Sequence, residues 1–155
     1  MFYGLNKFVK NFDNLCLDFN NLFKILSEMN LQSYIRNTSV TQDQVLKSTF
    51  EIQNVHAHKY FENITNKIIS FYQLKNTKID VHLFTSVLQG NSGPVHVDDY
   101  DVALYNLYGE TMYIVDKEKF ILETGDLLYI KAGQIHQSIS LKPRITFSLG
   151  VRNDI

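Results

Sequence analysis

The chain has 155 residues, of which 45% are hydrophobic and 13% aromatic, enough apolar surface for one domain with its own core. Its 15 basic and 16 acidic side chains nearly cancel, so we expect no nucleic acid or anionic membrane as a partner. No apolar run is long enough to span a bilayer, and the start of the chain lacks the pattern of a secretory signal. These features predict a cytoplasmic protein.

The one cysteine, Cys16, permits no disulfide within the chain, which agrees with a reducing compartment. It lies among apolar residues, so we expect its side chain to be packed in the interior.

The first half of the chain, residues 1–76, has no proline and a single glycine. Apolar residues between Leu17 and Leu26 recur at near-helical spacing. Thr41 resembles the N-cap of a longer helix whose apolar stripe continues to about Leu74. We therefore expect two or three helices, which pack on the remainder of the domain because an amphipathic helix needs a partner surface.

The pattern changes in residues 77–155, where short segments rich in β-branched and aromatic residues are bounded by turn residues. The expected strands are 80–88, 95–98, 101–108, 111–116, 119–124, 126–131, 136–141 and 145–152. Eight short strands of this kind favour a sandwich or barrel. The predicted fold is therefore mainly β with N-terminal helices, in one domain covering residues 1–155.

Three side chains from two distant stretches suggest a metal site. His96 and Asp98 are two residues apart on an expected strand, so they point to the same face. His136 follows a strand and the glycine turn at Gly133, which would return it beside that pair. An isolated histidine is more often structural, but two imidazoles and one carboxylate together match the facial triad of non-haem Fe(II) oxygenases.

These stretches resemble a known family. Residues 93–109 are similar to the first metal motif of JmjC-type and ribosomal-oxygenase-type cupins, residues 122–136 to the second, and residues 146–152 to the closing strand. Against the general cupin pattern, Lys131 replaces a proline and Ser140 an asparagine. The resemblance implies a double-stranded β-helix (a cupin or jelly-roll barrel) and an Fe(II)- and 2-oxoglutarate-dependent dioxygenase, an oxidoreductase. It also implies a peptide, a protein side chain or a small molecule as substrate, and a homodimer formed through the N-terminal helices.

Oxygenases of this family hold the distal carboxylate of 2-oxoglutarate with a basic residue, and the corresponding position here is the neutral Thr111. Arg144, followed two residues later by Thr146, resembles the carboxylate clamp of other branches of these oxygenases. The alternative is that Arg144 lies at a surface turn. Tyr113 and Asn106 are further candidates for co-substrate contact, although a tyrosine in a barrel often bonds to backbone instead.

Several other polar residues have structural explanations. His56, His58 and Glu62 spell part of a general cupin motif, but they fall in the expected long helix, where the histidines would diverge. His82 is expected to be structural. Asp101 is either an exposed acid, a partner of the metal site or a substrate contact.

Three functions remain open from the sequence. The first is the oxygenase, with His96, Asp98 and His136 as catalytic metal ligands. The second is a metal-binding cupin that does not use 2-oxoglutarate, which the neutral Thr111 favours. The third is a non-catalytic binding module.

Overall fold

The computed structural model describes residues 7–29, 46–75, 77–90 and 92–153. It contains the helices α1 (Phe19–Glu28) and α2 (Lys59–Tyr72) and a short 3-10 turn at Val55–Ala57. The ten strands are β1 (Lys7–Val9), β2 (Thr49–Gln53), β3 (Thr77–Ser86), β4 (His96–Val97), β5 (Asp101–Tyr108), β6 (Glu110–Val115), β7 (Glu118–Glu123), β8 (Leu127–Ile130), β9 (Ile135–Ser140) and β10 (Arg144–Asn153).

The strands form two antiparallel sheets. One has six strands in the order β1-β8-β5-β10-β3-β2, and the other has four in the order β4-β9-β6-β7. From β3 to β10 the chain passes repeatedly between the two sheets, with one hairpin, β6–β7, inside the four-stranded sheet. This winding is that of a double-stranded β-helix, and the predicted fold class is confirmed.

Strand β10 shows how the side chains of the six-stranded sheet are divided between its two faces. Ile145, Phe147 and Leu149 point outward into the core that the six-stranded sheet shares with α1 and α2, where Phe61 of α2 stacks on Phe147. The alternate residues of β10 point into the barrel, as the period of two requires. The helices thus cover one face of this sheet, and its other face, which carries both apolar and polar side chains, lines a cavity. Dimerisation through these helices stays a prediction.

The N-terminal half differs from the expected all-helical region. Helix α1 is present, and its N-cap Asp18 accepts a hydrogen bond from the amide of Asn21. The prediction of one long helix is wrong between residues 49 and 57. Thr49–Gln53 forms a strand that pairs with β3, and Asn54 adopts a left-handed conformation with φ 59°. The proposed cap at Thr41 lies outside the described residues.

All eight expected strands are present in the second half; 101–108 keeps its bounds, and the ends of the others move by one to three residues. The segment 95–98 is reduced to the two paired residues of β4. The short strand β1 was not expected, since it is three residues long and pairs with β8 from a distant part of the chain.

The turn from β5 to β6 lies against the loop before β10. Gly109 has φ +77°, and a Cβ built there would stand 1.8 Å from the carbonyl oxygen of Pro143. Glycine is required at this turn for both reasons.

Cys16 is exposed, so the prediction that it is packed inside is wrong. Its neighbour Leu17 takes the buried position instead. Among the helices of the described segments, none has the length and apolar character needed to cross a bilayer.

Candidate functional site

His96 and His136 occupy directly opposed positions in the ladder that pairs β4 with β9. Their ring centroids are 4.2 Å apart. The next pair in the ladder, Val97 and Ile135, points the other way and is about half exposed. The alternation of two adjacent strands therefore turns both imidazoles toward the barrel interior.

Asp98 follows β4 directly and brings a carboxylate to the two imidazoles. Its Oδ1 lies 3.9 Å from Nε2 of His96, and its Oδ2 lies 3.5 Å from Nε2 of His136. The three donor atoms all fall within 4.8 Å of one another. In the part of the chain that the structure describes, no other group of three histidine, cysteine or acidic residues is arranged this closely.

Backbone carbonyls fix which nitrogen of each imidazole is available. Nδ1 of His96 lies 2.9 Å from the carbonyl oxygen of Pro94, and Nδ1 of His136 lies 3.0 Å from that of Gln134. A carbonyl can only accept, so each Nδ1 carries the proton and donates it. Both Nε2 atoms are then free to present lone pairs to a cation, as metal-binding histidines do.

The triad opens into a cavity of about 500 Å³ between the two sheets. The four-stranded side contributes Tyr113, His136 and Ser138. The six-stranded side contributes a longer set, which is Thr49, Glu51, Asp80, His82, Phe84, Val102, Leu104, Arg144, Ser148 and Gly150. His136 is buried, whereas His96 is exposed, so the cluster is reached from solvent on the His96 side.

Arg144 projects into this cavity and is only 1% exposed. Its guanidinium contacts hydroxyl groups alone, at 3.3 Å to Ser86, Ser138 and Tyr113 and 3.5 Å to Thr146. No carboxylate of the described residues forms an ion pair with it. The alternative position of Arg144 at a surface turn is therefore not what the structure has.

The other residues considered for co-substrate contact divide into two groups. Tyr113 lines the cavity and accepts from Arg144. Asn106, Thr111 and Thr146 are fully buried but do not line it. Thr111 and Thr146 donate to Oδ1 of Asn106, whose amide nitrogen donates to the carbonyls of Gly109 and Leu122. These three residues form a closed network behind the guanidinium.

A second polar cluster lines the cavity, and it was not predicted from the sequence. Nδ1 of His82 lies 2.6 Å from Glu51, and its Nε2 lies 2.9 Å from Asp80. His82 therefore joins β2 to β3 and also faces the cavity. Glu51 was hidden from sequence reasoning because its segment was assigned to a helix.

Tyr100 stands between this cluster and the triad. Its ring packs on Gly150, where a Cβ would come within 2.9 Å, and Arg152 lies over the ring at 4.6 Å. Burial, and then the negative charge of Asp98, raise the pKa of Tyr100. It is a protonated wall of the cavity at neutral pH.

The histidines of the His56–Glu62 stretch are placed differently from the expected helix. His56 is in the 3-10 turn, and His58 is the N-cap of α2, where its Nδ1 accepts from the amide of Tyr60. Its Nε2 lies 3.2 Å from Glu28. This stretch does not reach the cavity.

Comparison with known proteins agrees with the architecture. Residues 83–144 match the model of the cupin domain. The fold is that of a cupin. None of the curated proteins matches the sequence.

The cupin fold is also found in solved structures with low sequence identity. The Escherichia coli ribosomal oxygenase YcfD in complex with cobalt and 2-oxoglutarate superimposes with a TM-score of 0.75 at 19% identity, over 97% of this chain and 49% of that one. Its complex with cobalt and succinic acid gives a TM-score of 0.75 at 20% identity, over 97% and 48%. The chain thus spans about half the length of YcfD.

A third similar structure is shorter. The SPY1581 protein of Streptococcus pyogenes, of unknown function, gives a TM-score of 0.53 at 13% identity, over 78% of this chain and 93% of that one. At these identities the likenesses describe the fold.

Proposed function

We propose that this cupin is an Fe(II)- and 2-oxoglutarate-dependent oxygenase. The observation that carries the proposal is the buried guanidinium of Arg144, which has no anionic partner among the described residues and shares a cavity with the His96, Asp98 and His136 cluster. A cation in the barrel and a set of three metal donors are the two halves of a site for a chelating dicarboxylate.

The donor set fits the metal. Two neutral imidazoles and one carboxylate satisfy three positions of a divalent first-row ion and leave the others for exchangeable ligands. Fe(II), when bound, couples the reduction of O₂ to the decarboxylation of the 2-oxo acid and the hydroxylation of a substrate. The chain's own contribution is to hold His96 and His136 in the correct tautomer and to orient Asp98 between them.

The buried cation requires an anion. A guanidinium taken out of water and surrounded by neutral hydroxyls has lost hydration that those hydroxyls restore only in part. A carboxylate would receive its two parallel N–H groups in the bidentate arrangement that arginine favours. The distal carboxylate of 2-oxoglutarate is such a group, and the hydroxyl of Tyr113 lies beside it to share the contact.

The spacing along β9 suits a short diacid. Ser138, which contacts Arg144, comes two residues after His136 on the same strand face. A strand advances about 3.3 Å per residue, so these positions are separated by about 7 Å. That distance is on the scale of a five-carbon 2-oxo diacid with one end at the triad and the other at Arg144.

Asn106, Thr111 and Thr146 would act behind the clamp. Thr146 contacts Arg144 and donates to Asn106, which also takes the hydroxyl of Thr111. Their role in co-substrate binding would be to hold the guanidinium in place. In this arrangement Arg144 replaces the basic residue that the family has at the position of Thr111.

The substrate of the proposed reaction is a peptide or protein side chain or a small molecule that enters from the His96 side. The YcfD complexes with cobalt and 2-oxoglutarate support the class of co-substrate, because the same fold holds both. The cytoplasm, where Fe(II) and 2-oxoglutarate are both present, is the proposed setting.

The proposal is tested by two titrations, with Mn(II) as a redox-silent stand-in for Fe(II). The Mn(II)-loaded chain should bind 2-oxoglutarate. Arg144→Ala should keep Mn(II) binding and weaken 2-oxoglutarate binding about 100-fold, the scale of a charge-assisted bidentate contact. Lys119→Ala, an exposed cation of β7 that does not line the cavity, is the control and should bind both normally.

The outcomes separate the three candidate functions. If Arg144→Ala bound 2-oxoglutarate as tightly as wild type does, Arg144 would not be the residue that holds its distal carboxylate. Wild-type chain that binds Mn(II) but not 2-oxoglutarate would be a metal-binding cupin of another class, which the neutral Thr111 favours. Wild-type chain that binds neither would be a non-catalytic module. If Arg144→Ala does not fold, Arg144→Lys keeps the charge without the fork and should show a smaller loss of affinity.

A further inference from the structure

Asp101 is the first residue of β5 and holds the turn that precedes β9. Its Oδ1 accepts a hydrogen bond from the amide of Ala132 at 2.8 Å, and its Oδ2 accepts one from the hydroxyl of Tyr129 at 2.6 Å. Both oxygens are thus used within the protein. Asp101 does not line the cavity, so its carboxylate is not placed to contact a substrate.

The turn held by Asp101 delivers His136 to the metal cluster. Residues 131–134 connect β8 to β9, and the turn is also tied by a hydrogen bond from the amide of Gly133 to the carbonyl oxygen of Asp98 at 2.9 Å. The same short stretch, from Asp98 to Asp101, therefore accepts two hydrogen bonds from the turn. One goes to the backbone carbonyl of Asp98 and the other to the side chain of Asp101.

These bonds join the two distant halves of the triad. Asp98 lies three positions before Asp101, and His136 lies four positions after Ala132. The Asp101–Ala132 hydrogen bond therefore connects the two ligand-bearing segments a few residues from each ligand. The ligands themselves are connected directly by the pairing of β4 with β9. The Asp101 side chain thus adds a second hydrogen bond between this stretch and the turn, beside the one that the carbonyl of Asp98 accepts.

The second partner keeps Asp101 oriented. Burial, followed by the hydrogen bond to Asp101, raises the pKa of Tyr129, so the phenol stays protonated and remains a donor. Its ring packs against Tyr72 of α2. The carboxylate is thus held from the helical layer on one side while it holds the metal-bearing turn on the other.

We propose that Asp101 is a positioning residue that sets the metal affinity of the His96, Asp98 and His136 cluster through the 131–134 turn. The inference rests on the proposed function, because it concerns the same metal site. It assigns to Asp101 a role outside the cavity and names the Ala132 amide as the contact through which it acts.

The test compares three variants by Mn(II) titration. Asp101→Ala loses both contacts and should weaken Mn(II) binding by about 10- to 100-fold, as is typical when an outer partner of a metal ligand is removed. Asp101→Asn keeps an oxygen for the Ala132 amide, and its amide group can donate to Tyr129, so it should restore most of the affinity. Tyr129→Phe removes the outer contact alone and should change the affinity less than threefold.

A spectroscopic readout separates positioning from general destabilisation. The visible absorption of Co(II)-loaded protein reports ligand geometry, and Asp101→Ala at saturation should differ from wild type in band position or intensity. Asp126→Ala, which removes a buried carboxylate before β8 without touching the 131–134 turn, serves as the destabilised control. It should lower the unfolding midpoint and leave both the Mn(II) affinity and the Co(II) spectrum as in wild type.

Two results would overturn the inference alone. One is Asp101→Ala with wild-type Mn(II) affinity and Co(II) spectrum. The other is an equal loss of affinity in Asp126→Ala, since the effect would then follow from stability. A wild-type chain that binds neither Mn(II) nor Co(II) would instead overturn the proposed function, and this inference with it.

Discussion

The imidazoles of His96 and His136 face each other from opposed residues of two paired strands, each with its Nδ1 proton donated to the carbonyl two positions earlier. His136→Ala removes the buried member of this pair. We expect the Mn(II) affinity to fall by more than about 100-fold, beyond the loss seen for outer partners of metal ligands. Electron paramagnetic resonance of free Mn(II) measures it directly.

The matched control for this variant is His56→Ala, an exposed histidine in the 3-10 turn away from the cavity. It should bind Mn(II) as wild type does. If the two variants bound Mn(II) equally well, His136 would not be a ligand.

Asp126 is expected to be a main support of the fold. Its fully buried carboxylate accepts from the amides of Asn11 and Glu123 and from the ammonium of Lys10. Asp126→Ala takes this acceptor from the two amides and one of its two carboxylate partners from Lys10, and we expect the free energy of unfolding to fall by about 3 kcal/mol. Urea denaturation measures the change.

Glu123→Ala is the comparison, because Lys10 contacts this carboxylate too, but at the exposed surface. Its removal should lower the free energy of unfolding by less than about 1 kcal/mol. Equal effects of the two variants would mean that the buried hydrogen bonds of Asp126 contribute little.

Asp13 should make the fold sensitive to acid. Burial pushes the pKa of Asp13 upward, but hydrogen bonds from Lys67 and from the amides of Leu15 and Asn14 outweigh it, so the pKa lies below its usual 3.8. Because the folded-state pKa is the lower one, Asp13 stabilises the fold above its unfolded-state pKa. That stabilisation is lost as the pH falls through the folded-state value.

Asp13→Asn gives the measurement. The variant should be less stable than wild type at pH 7, and the two should converge in urea denaturation as the pH falls below 3.8 and through the lower folded-state pKa. A difference in free energy of unfolding that stays constant over this range would show that the charge of Asp13 does not contribute.

His82 should stabilise the edge strand β2 and leave the triad unaffected. Its ring nitrogens face Glu51 of β2 and Asp80 of β3, so His82→Ala removes a link between these strands. We expect faster amide hydrogen exchange in Thr49–Gln53, a stability loss of about 1 kcal/mol, and unchanged Mn(II) affinity. A parallel loss of metal binding would place His82 in the metal site.

The strands of the second half could be predicted because their alternation and turn residues are local signals. The two strands of the first half could not. β2 contains Phe50 and Ile52 two residues apart, which is a strand spacing, but the alternation is too short to stand out beside the helical stripe that follows it. The segment becomes a strand by pairing with β3. Tertiary pairing of this kind overrides local pattern, and a three-residue strand such as β1 carries too little pattern to detect.

Some parts of the candidate site could be predicted from the sequence and others could not. The triad follows from strand alternation and one glycine turn, and the structure brings its three side chains together. The set of hydroxyls around Arg144 was not predictable, because Ser86 and Tyr113 approach it from strands that are distant in sequence. Likewise, only the fold shows that Asn106 serves Thr111 and Thr146 instead of facing the cavity.

The contact of Gly109 with the carbonyl of Pro143 makes the position of Arg144 in the cavity depend on a turn outside it. Any side chain at this turn would push on the peptide that leads directly into Arg144, and the displaced strand would carry the guanidinium with it. Under the proposed function, differences in 2-oxoglutarate affinity among related chains should therefore be sought at this hairpin too, in a residue that does not line the cavity.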